Sequence, residues 1–174
     1  GEPAAVVAEA FNSRTLAADK AQRYAELAEE VAAVLDGEGD LTARMATVAA
    51  MLHQAFAPRF FWTGFYVVDP AKRDELVVGP YQGTLGCLRI PFGRGVCGAA
   101  VVSGEVQLVP DVHAFPGHIA CDSRSRSEVV VPARDATGGV IAVLDVDSAE
   151  PDAFDTVDVD GLQRILRRVF SGRD

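Results

Sequence analysis

The spacing of apolar residues predicts amphipathic helices towards both ends of the chain. Apolar residues recur at steps of three and four over 24–34, which predicts a first helix. A second stripe covers 41–52 and follows Asp40, a residue type that caps helix N-termini. A last amphipathic helix is predicted after Asp155, which is placed as its N-cap.

Between these helices the pattern changes to short runs of β-branched and aromatic residues, which predict strands. The runs cover 60–68, 75–81, 87–90, 105–110, 128–134 and 140–147, with a short helix at 96–103. Hairpin-length turns join several of the runs. The pattern therefore predicts an α+β fold, with a central, mostly antiparallel six-stranded sheet and the N- and C-terminal helices packed on one face.

The length of 174 residues favours a single domain. Residues 1–18 are alanine-rich and show no firm period, so we interpret them as an N-terminal extension that is mobile or adds to the first helix. The domain proper is predicted to cover 19–174.

The charge balance limits the classes of partner. A net charge of −9 argues against sequence-independent nucleic-acid binding, which needs basic residues to neutralise phosphates. No apolar run approaches the roughly 20 residues of a membrane span, and no signal-peptide pattern begins the sequence. We therefore expect a soluble cytoplasmic protein that binds neither nucleic acid nor membrane.

The candidate chemistry is that of sulfur. The three cysteines, Cys87, Cys97 and Cys121, cannot all pair within one chain, and none forms a CxxC motif. Cys97 follows the turn 93–95 at a predicted helix N-terminus, a setting that favours thiolate over thiol. Cys121 lies in a polar loop with histidine, aspartate and arginine neighbours. These settings favour a redox or nucleophilic cysteine over three unrelated buried cysteines.

A metal site is the competing interpretation of the same residues. The three cysteines with His113 or His118 could form a Cys₃His set, but those ligands come from scattered loops. The glycine turn at 93–95 lacks the Lys-Ser/Thr ending of a phosphate loop. We expect neither a metal nor a cofactor.

Acidic and aromatic residues in the predicted strands could line a pocket. Asp145 and Asp147 are two apart, so they share one face of a strand, together with Ile141 and Val143. A solvated strand end and a polar pocket floor both remain possible. Glu128 is either an edge charge or a pocket acid. Two aromatic residues four apart on another strand also share a face, and core packing is their simplest interpretation: Trp62 and Tyr66.

Three segments carry a resemblance to a known family. They are GPYQGTLGCLRIPFGRGVCGAA (79–100), DVHAFPGHIACDSRSRSEVVVP (111–132) and VLDVDS (143–148). These segments resemble the free methionine-(R)-sulfoxide reductases, which are single GAF-domain enzymes. The resemblance extends from about Ala21 to the last helix and departs from the family at Gly86, where alanine is expected.

The resemblance implies a substrate, free L-methionine (R)-sulfoxide, and a thiol mechanism. It implies Cys121 as nucleophile and Cys87 as resolving cysteine, with Cys97 as an alternative nucleophile or a relay thiol. It further implies a sulfenic acid, an intramolecular disulfide, reduction by thioredoxin and a homodimer. The implied substrate-binding residues are Trp62, Tyr66, Glu128, Asp145 and Asp147. The alternatives are a non-catalytic GAF sensor of small ligands and a redox sensor.

Overall fold

The computed structural model describes residues 4–14, 18–119 and 121–170. Within these ranges, five α-helices and six strands follow one another, with a 3-10 turn at Val112–Ala114 between the fourth and fifth strands. The elements are α1 (Ala4–Ser13), α2 (Lys20–Val34), α3 (Leu41–Phe56), β1 (Trp62–Asp69), β2 (Lys72–Gln82), β3 (Arg89–Pro91), α4 (Gly95–Ser103), β4 (Gln107–Val109), β5 (Ser127–Arg134), β6 (Val140–Ser148) and α5 (Thr156–Phe170).

The six strands form one sheet in the order β3-β2-β1-β6-β5-β4. Every neighbouring pair is antiparallel, which confirms the predicted sheet. The central strands β1 and β6 come from distant parts of the sequence and pair over six residue positions. Residues on these two strands therefore lie at the middle of the sheet.

The large apolar side chains of α2, α3 and α5 pack on one face of this sheet. Leu27, Leu52 and Ile165 are fully buried there against Phe65 and Leu144 of the central strands. We call this cluster the helical core. The predicted placement of the N- and C-terminal helices on one face is confirmed, whereas the short helix α4 packs on the opposite face through Ala100 and Val101.

The N-terminal extension contains a helix that contacts the domain. Phe11 of α1 is buried in the helical core, and Arg14 forms an ion pair with Glu30 of α2. Residues 1–3 and 15–17 of the extension lie outside the described residues. The described part of the extension thus adds apolar contacts to the domain.

Side-chain caps fix the predicted starts of two helices. The carboxylate of Asp40 accepts a hydrogen bond of 2.8 Å from the Ala43 amide at the start of α3. The carboxylate of Asp155 accepts one of 3.0 Å from the Val157 amide at the start of α5. In the described part of the chain, no helix combines the length and the apolar character needed to cross a bilayer.

A bulge at one end of the β5–β6 pair changes the predicted alternation. Ala133 pairs with Ala142, but the next residue, Arg134, pairs with Val140, so that Ile141 is an extra residue in β6. Ile141 consequently packs against the helical core, and Val140 lies on the other face with Val143. The prediction that Ile141 shares a face with Val143 was wrong for this reason.

Candidate active site

A cleft opens on the face of the sheet opposite the helical core. Its walls are α4 and described residues of two loops, 83–88 before β3 and 115–119 with 121–126 before β5. Of the eight residues that the sequence predicts for a site, seven line this cleft. The lining residues are Phe61, Trp62, Tyr66, Leu85, Gly86, Ile90, Arg94, Gly95, Val96, Cys97, His118, Ile119, Cys121, Asp122, Ser125, Glu128, Asp145 and Asp147.

The sheet register explains why distant residues meet at the cleft floor. Asp147 of β6 pairs with Trp62 of β1 on one side and with Glu128 of β5 on the other. Directly paired residues in an antiparallel sheet share a face, so these three side chains form a row across three strands. Asp145, two residues before Asp147, adds a second carboxyl group to the same face. We call Glu128, Asp145 and Asp147 the carboxylate cluster.

The aromatic residues of the floor form a stack. The Trp62 ring lies between Tyr66 and Tyr81, with ring centroids 5.6 and 4.9 Å away and interplanar angles of 17° and 18°. Gly64 makes this stack possible, because a Cβ at that position would lie 2.2 Å from Tyr81 Cβ. Trp62 and Tyr66 also line the cleft, so the stack contributes aromatic surface to its wall.

The polar ends of the aromatic residues hold the loop at 83–88. Trp62 Nε1 donates a 2.9 Å hydrogen bond to the Thr84 carbonyl, and the Tyr66 hydroxyl donates one of 3.1 Å to the Cys87 carbonyl. Burial and the nearby carboxylates raise the pKa of Tyr66, so its hydroxyl remains a donor. A Cβ on Gly86 would lie 2.9 Å from Trp62 Cζ2, so the alanine expected there would need the indole to shift.

Cys87 and Cys121 form a disulfide that joins the two loops, with a Cα–Cα distance of 5.5 Å. Cys121 is exposed and lines the cleft. Cys87 is the one predicted site residue that is not part of the lining within the described residues. A second link lies beside the disulfide, where the Thr84 hydroxyl donates a 2.9 Å hydrogen bond to Asp122.

The carboxylate cluster lies in a setting that disfavours negative charge. Burial raises the pKa of Glu128 well above its ordinary value, and Asp145 and Asp147 raise it further. Burial raises the pKa of Asp145 as well, and burial together with Asp145 raises that of Asp147. Burial and neighbouring negative charge both favour the protonated form of a carboxyl group, so the cluster is suited to donate a proton.

The expectation that Cys97 favours the thiolate was wrong. Cys97 does lie in the first turn of α4, and Gly95 there has a positive φ of 62°. However, burial raises the pKa of the Cys97 thiol well above its ordinary value, and Asp145 and Glu128 raise it further. Burial, with the neighbouring carboxyl groups, thus outweighs the helix N-terminus.

The three histidines differ in their relation to the cleft. His118 lines it, with Nε2 at 3.9 Å from Glu128 Oε1, and burial lowers the pKa of this imidazole. His113 is exposed and contacts Asp111, outside the cleft lining. His53 lies on α3, where its Nδ1 is 3.1 Å from the Thr63 hydroxyl.

Sequence reasoning missed the polar residues that support the site. The contact between Thr84 and Asp122 is one such feature, and another is the 3.4 Å hydrogen bond that the Ser125 hydroxyl donates to Asp147. No spacing signal marks such residues, because the loops that carry them have no period. The arrangement as a whole combines a disulfide whose Cys121 is exposed, an apolar wall and buried carboxyl groups with raised pKa values, which together suit thiol chemistry on a small molecule.

The fold and the position of the cleft define a class of protein. The family model of the GAF domain matches residues 24–169 of this chain. GAF domain-containing protein A of Dictyostelium discoideum is 45% identical over 148 residues, which are 85% of this chain and 90% of the relative.

Two further similarities identify one family among the GAF domains. Free methionine-R-sulfoxide reductase of Escherichia coli is 40% identical over 151 residues, 87% of this chain and 88% of the relative. The X-ray structure of free methionine-R-sulfoxide reductase from Neisseria meningitidis in complex with its substrate has 46% identity and a TM-score of 0.85, covering 90% of this chain and 91% of that one. The chain therefore belongs to the free methionine-R-sulfoxide reductase family of GAF domains.

Proposed function

We propose that this protein reduces free L-methionine (R)-sulfoxide to L-methionine. The observation that carries the proposal is the Cys87–Cys121 disulfide, one sulfur of which belongs to a residue lining a cleft with an aromatic wall and buried carboxyl groups. Relatives named as free methionine-R-sulfoxide reductases support the same activity.

The proposed reaction transfers one oxygen atom from substrate sulfur to cysteine sulfur. The Cys121 thiolate attacks the sulfoxide sulfur while a carboxyl group of the cluster protonates the sulfoxide oxygen. The hydroxyl group then passes to the cysteine sulfur as the S–O bond of the substrate and the transient bond between the two sulfur atoms break. Methionine leaves, and Cys121 becomes a sulfenic acid. The Cys87 thiol then displaces water from that sulfenic acid and forms the disulfide. The substrate gains two electrons, which the two cysteines supply.

The cleft offers a partner for each part of the substrate. Trp62 and Tyr66 would contact the S-methyl end, because a flat apolar surface suits a methyl group attached to sulfur. Carboxylates of the cluster would bind the ammonium group. The substrate carboxylate would need backbone amides, for which we propose the loop that carries Cys121.

The three cysteines receive different roles in this proposal. The disulfide and the exposure of Cys121 support Cys121 as nucleophile and Cys87 as resolving cysteine. Cys97 is a free, buried thiol whose raised pKa opposes the thiolate that an attacking sulfur requires. We therefore propose no bond-making role for Cys97.

The disulfide must be reduced before the next turnover. An external dithiol would attack one sulfur, pass through a mixed disulfide and leave both cysteines reduced. We propose thioredoxin as this reductant and the cytoplasm as the compartment, since reducing systems of this type keep cytosolic thiols reduced. We also propose a homodimer, which light scattering of the purified protein would test.

A single-turnover experiment tests the proposed activity. Fully reduced protein is mixed with an equal amount of free methionine (R)-sulfoxide in the absence of reductant. A reductase releases one methionine per chain and loses two hydrogen atoms in mass. A ligand sensor would bind the sulfoxide without releasing methionine, and a sensor that only oxidises would show neither result; either outcome would contradict the proposal.

Two cysteine variants separate the proposed roles in the same assay. Cys121→Ser should lower methionine release by a factor on the order of 10³ or more, because the attacking sulfur is gone. Cys87→Ser should still release one methionine per chain but stop at a sulfenic acid, which a sulfenic-acid reagent would trap. Turnover of free methionine sulfoxide by Cys121→Ser would exclude Cys121 as the nucleophile.

A further inference from the structure

We propose that the floor of the cleft binds one Zn²⁺ ion through Cys97, Glu128 and Asp145, and that this ion inhibits the enzyme by excluding the substrate. The binding part of the inference stands on the geometry of these three side chains. The inhibitory part rests on the proposed function, in which the same carboxyl groups bind the substrate's ammonium group.

The first observation is the convergence of three ligand atoms. One ligand atom each from Cys97, Glu128 and Asp145 lie within 4.8 Å of one another, and all three residues are buried. Zn²⁺ takes thiolate sulfur at about 2.3 Å and carboxylate oxygen at about 2.0–2.2 Å. Atoms spaced as these are can therefore meet around one ion after small side-chain rotations.

The second observation is an unpartnered oxygen inside this group. Asp145 is 5% exposed, and its Oδ1 is fully buried and accepts no hydrogen bond from an amide, hydroxyl or basic group of the described residues, so only the neighbouring acidic groups can pair with it. Leaving a buried polar atom unpaired costs free energy, and more so for a charged group. A cation bound at Cys97 and Glu128 would remove that cost by coordinating this oxygen.

The charge of the cleft favours a cation over other ligands. Among the described lining residues, four carboxyl groups (Asp122, Glu128, Asp145 and Asp147) and the Cys97 thiol face one guanidinium, that of Arg94, and one imidazole, that of His118. A bound metal ion replaces the protons that these groups otherwise retain. Thiolate as one ligand selects Zn²⁺ over Mg²⁺ and Ca²⁺, which prefer oxygen ligands alone.

The site would differ from the redox pair in one important way. Cys97 takes no part in the disulfide, so the three ligands are the same in the oxidised and the reduced protein. Protein with its disulfide intact has a single free thiol, which makes Cys97 observable by itself. His118, with Nε2 at 3.9 Å from Glu128 Oε1, lies where a fourth ligand could approach.

Metal titration of the disulfide form tests the binding. Cd²⁺ serves as the spectroscopic substitute for Zn²⁺, because a cadmium–thiolate bond has an ultraviolet charge-transfer band, and calorimetry gives the Zn²⁺ affinity. We expect one equivalent of each ion to bind and the band to appear with Cd²⁺. Absence of the band, or a band that persists in Cys97→Ser, would overturn the proposal.

The carboxylate variants provide the second readout. Asp145→Asn should weaken Zn²⁺ binding at least tenfold, since even supporting residues around metal sites change affinity by roughly 10–100-fold. The matched control is Asp111→Asn, an exposed aspartate beside His113, which should leave the affinity unchanged. Circular dichroism would show that each variant is folded, and Cys97→Ala would replace Cys97→Ser if the serine variant is not. Equal affinities in Asp145→Asn and wild type would overturn the proposal.

Competition between Zn²⁺ and free methionine sulfoxide tests the proposal that the ion inhibits the enzyme. Free methionine sulfoxide should weaken Zn²⁺ binding to the disulfide form, and Zn²⁺ should weaken sulfoxide binding by the same factor. Binding of both together would overturn the inhibition. Zn²⁺ affinity is measured without turnover, so loss of the proposed reductase activity and loss of the metal site would be distinguished.

Discussion

Glu128 shows how strongly its neighbours can change the acidity of one carboxyl group. Its side chain is 5% exposed, and the register of β5 with β6 places it opposite Asp147. Burial and the two aspartates raise its pKa well above the ordinary value. A carboxylic acid that keeps its proton near neutral pH can donate it to a sulfoxide oxygen, which an ordinary surface glutamate could not do.

The pH dependence of methionine release should report this acid. The step needs the Cys121 thiolate and a protonated carboxyl group, so the rate should first rise with pH and then fall as pH rises through the raised pKa of the cluster. Glu128→Gln should lower the rate by roughly 10²–10⁴-fold and shift the alkaline limb. Single-turnover rates of both proteins across pH would check this. A wild-type rate without an alkaline decline, or an unchanged profile in Glu128→Gln, would contradict it.

The alternation of side chains along a strand predicted some of the site residues. It could not place the site residues that lie in loops. Trp62 and Tyr66, four apart, and Asp145 and Asp147, two apart, were placed on common faces by alternation alone, and the structure brings both pairs to the cleft. The acidity of Cys97 was predicted wrongly, because the sequence around it shows the helix start and not the distant carboxyl groups. Local sequence contains no information on neighbours that only the sheet register brings close.

The two loops over the cleft behave as one unit because two links join them. The disulfide is one link, and the hydrogen bond from Thr84 to Asp122 is the other. The aromatic floor adds hydrogen bonds to the backbone of the first loop at Thr84 and Cys87. The Thr84–Asp122 link needs no oxidation, so it can keep the two cysteines near each other in the reduced protein.

Removing the Thr84 hydroxyl should therefore slow disulfide formation and spare the first step. In Thr84→Val we expect methionine release to be unchanged, whereas closure of the disulfide should slow about three- to tenfold, the effect of one ordinary hydrogen bond. Trapping of the sulfenic acid during a single turnover measures this interval. Thr137→Val is the matched control, because Thr137 donates to Asp135 in a hairpin turn remote from the cleft. Equal closure rates in Thr84→Val and wild type would exclude the role.

Regular elements were predicted well, and local irregularities were not. The helices at 20–34 and 41–56 follow the apolar stripes, and the strands agree with the predicted runs to within a few residues. The bulge at Ile141 was missed, since an extra residue in a strand leaves the apolar composition of the run unchanged. The short helix α4 was predicted, but its packing on the cleft face depends on tertiary contacts.

On the surface of the molecule, two large apolar residues are highly exposed beside the disulfide. Leu85 and Leu88, on either side of Cys87, are 81% and 73% exposed. A protein that reduces the disulfide must bring its own thiol to this surface, because exchange requires contact between sulfur atoms. Leu88 lies outside the cleft lining, so it can contact a protein reductant without contacting substrate.

Leu88→Ser should consequently separate the two kinds of reductant. We expect kcat/KM for thioredoxin to fall about tenfold, the cost of one apolar contact at the centre of an interface, and the rate with a small dithiol to stay unchanged. Val102→Ser, a change at an equally apolar residue on α4 that is 62% exposed, should affect neither rate. A similar loss of rate with both reductants would mean that the substitution impairs the enzyme in general and not its contact with thioredoxin.

The stability of the whole domain should also depend on the carboxylate cluster. The pKa of Glu128 is higher in the folded protein than in the unfolded chain. Protonation of Glu128 therefore stabilises the folded state fully at pH values below the pKa of the unfolded chain. This contribution to stability is lost as pH rises through the pKa of the folded state. Glu128→Gln should therefore raise Tm above that of wild type at neutral and alkaline pH, and the gain should shrink in acid. Thermal unfolding at several pH values, with the exposed Glu105→Gln as control, checks this. A gain that is constant with pH would contradict it.

The separation of the two faces of the sheet has a consequence for how such a protein can evolve. Substitutions on the helical face change how much folded protein a cell keeps, because they act on the free energy of unfolding. Substitutions at residues that line the cleft alter which molecules are bound, and those at its buried residues act on stability as well. Selection can therefore change the helical face without altering the cleft, so a lineage could become more or less stable while it keeps its ligand.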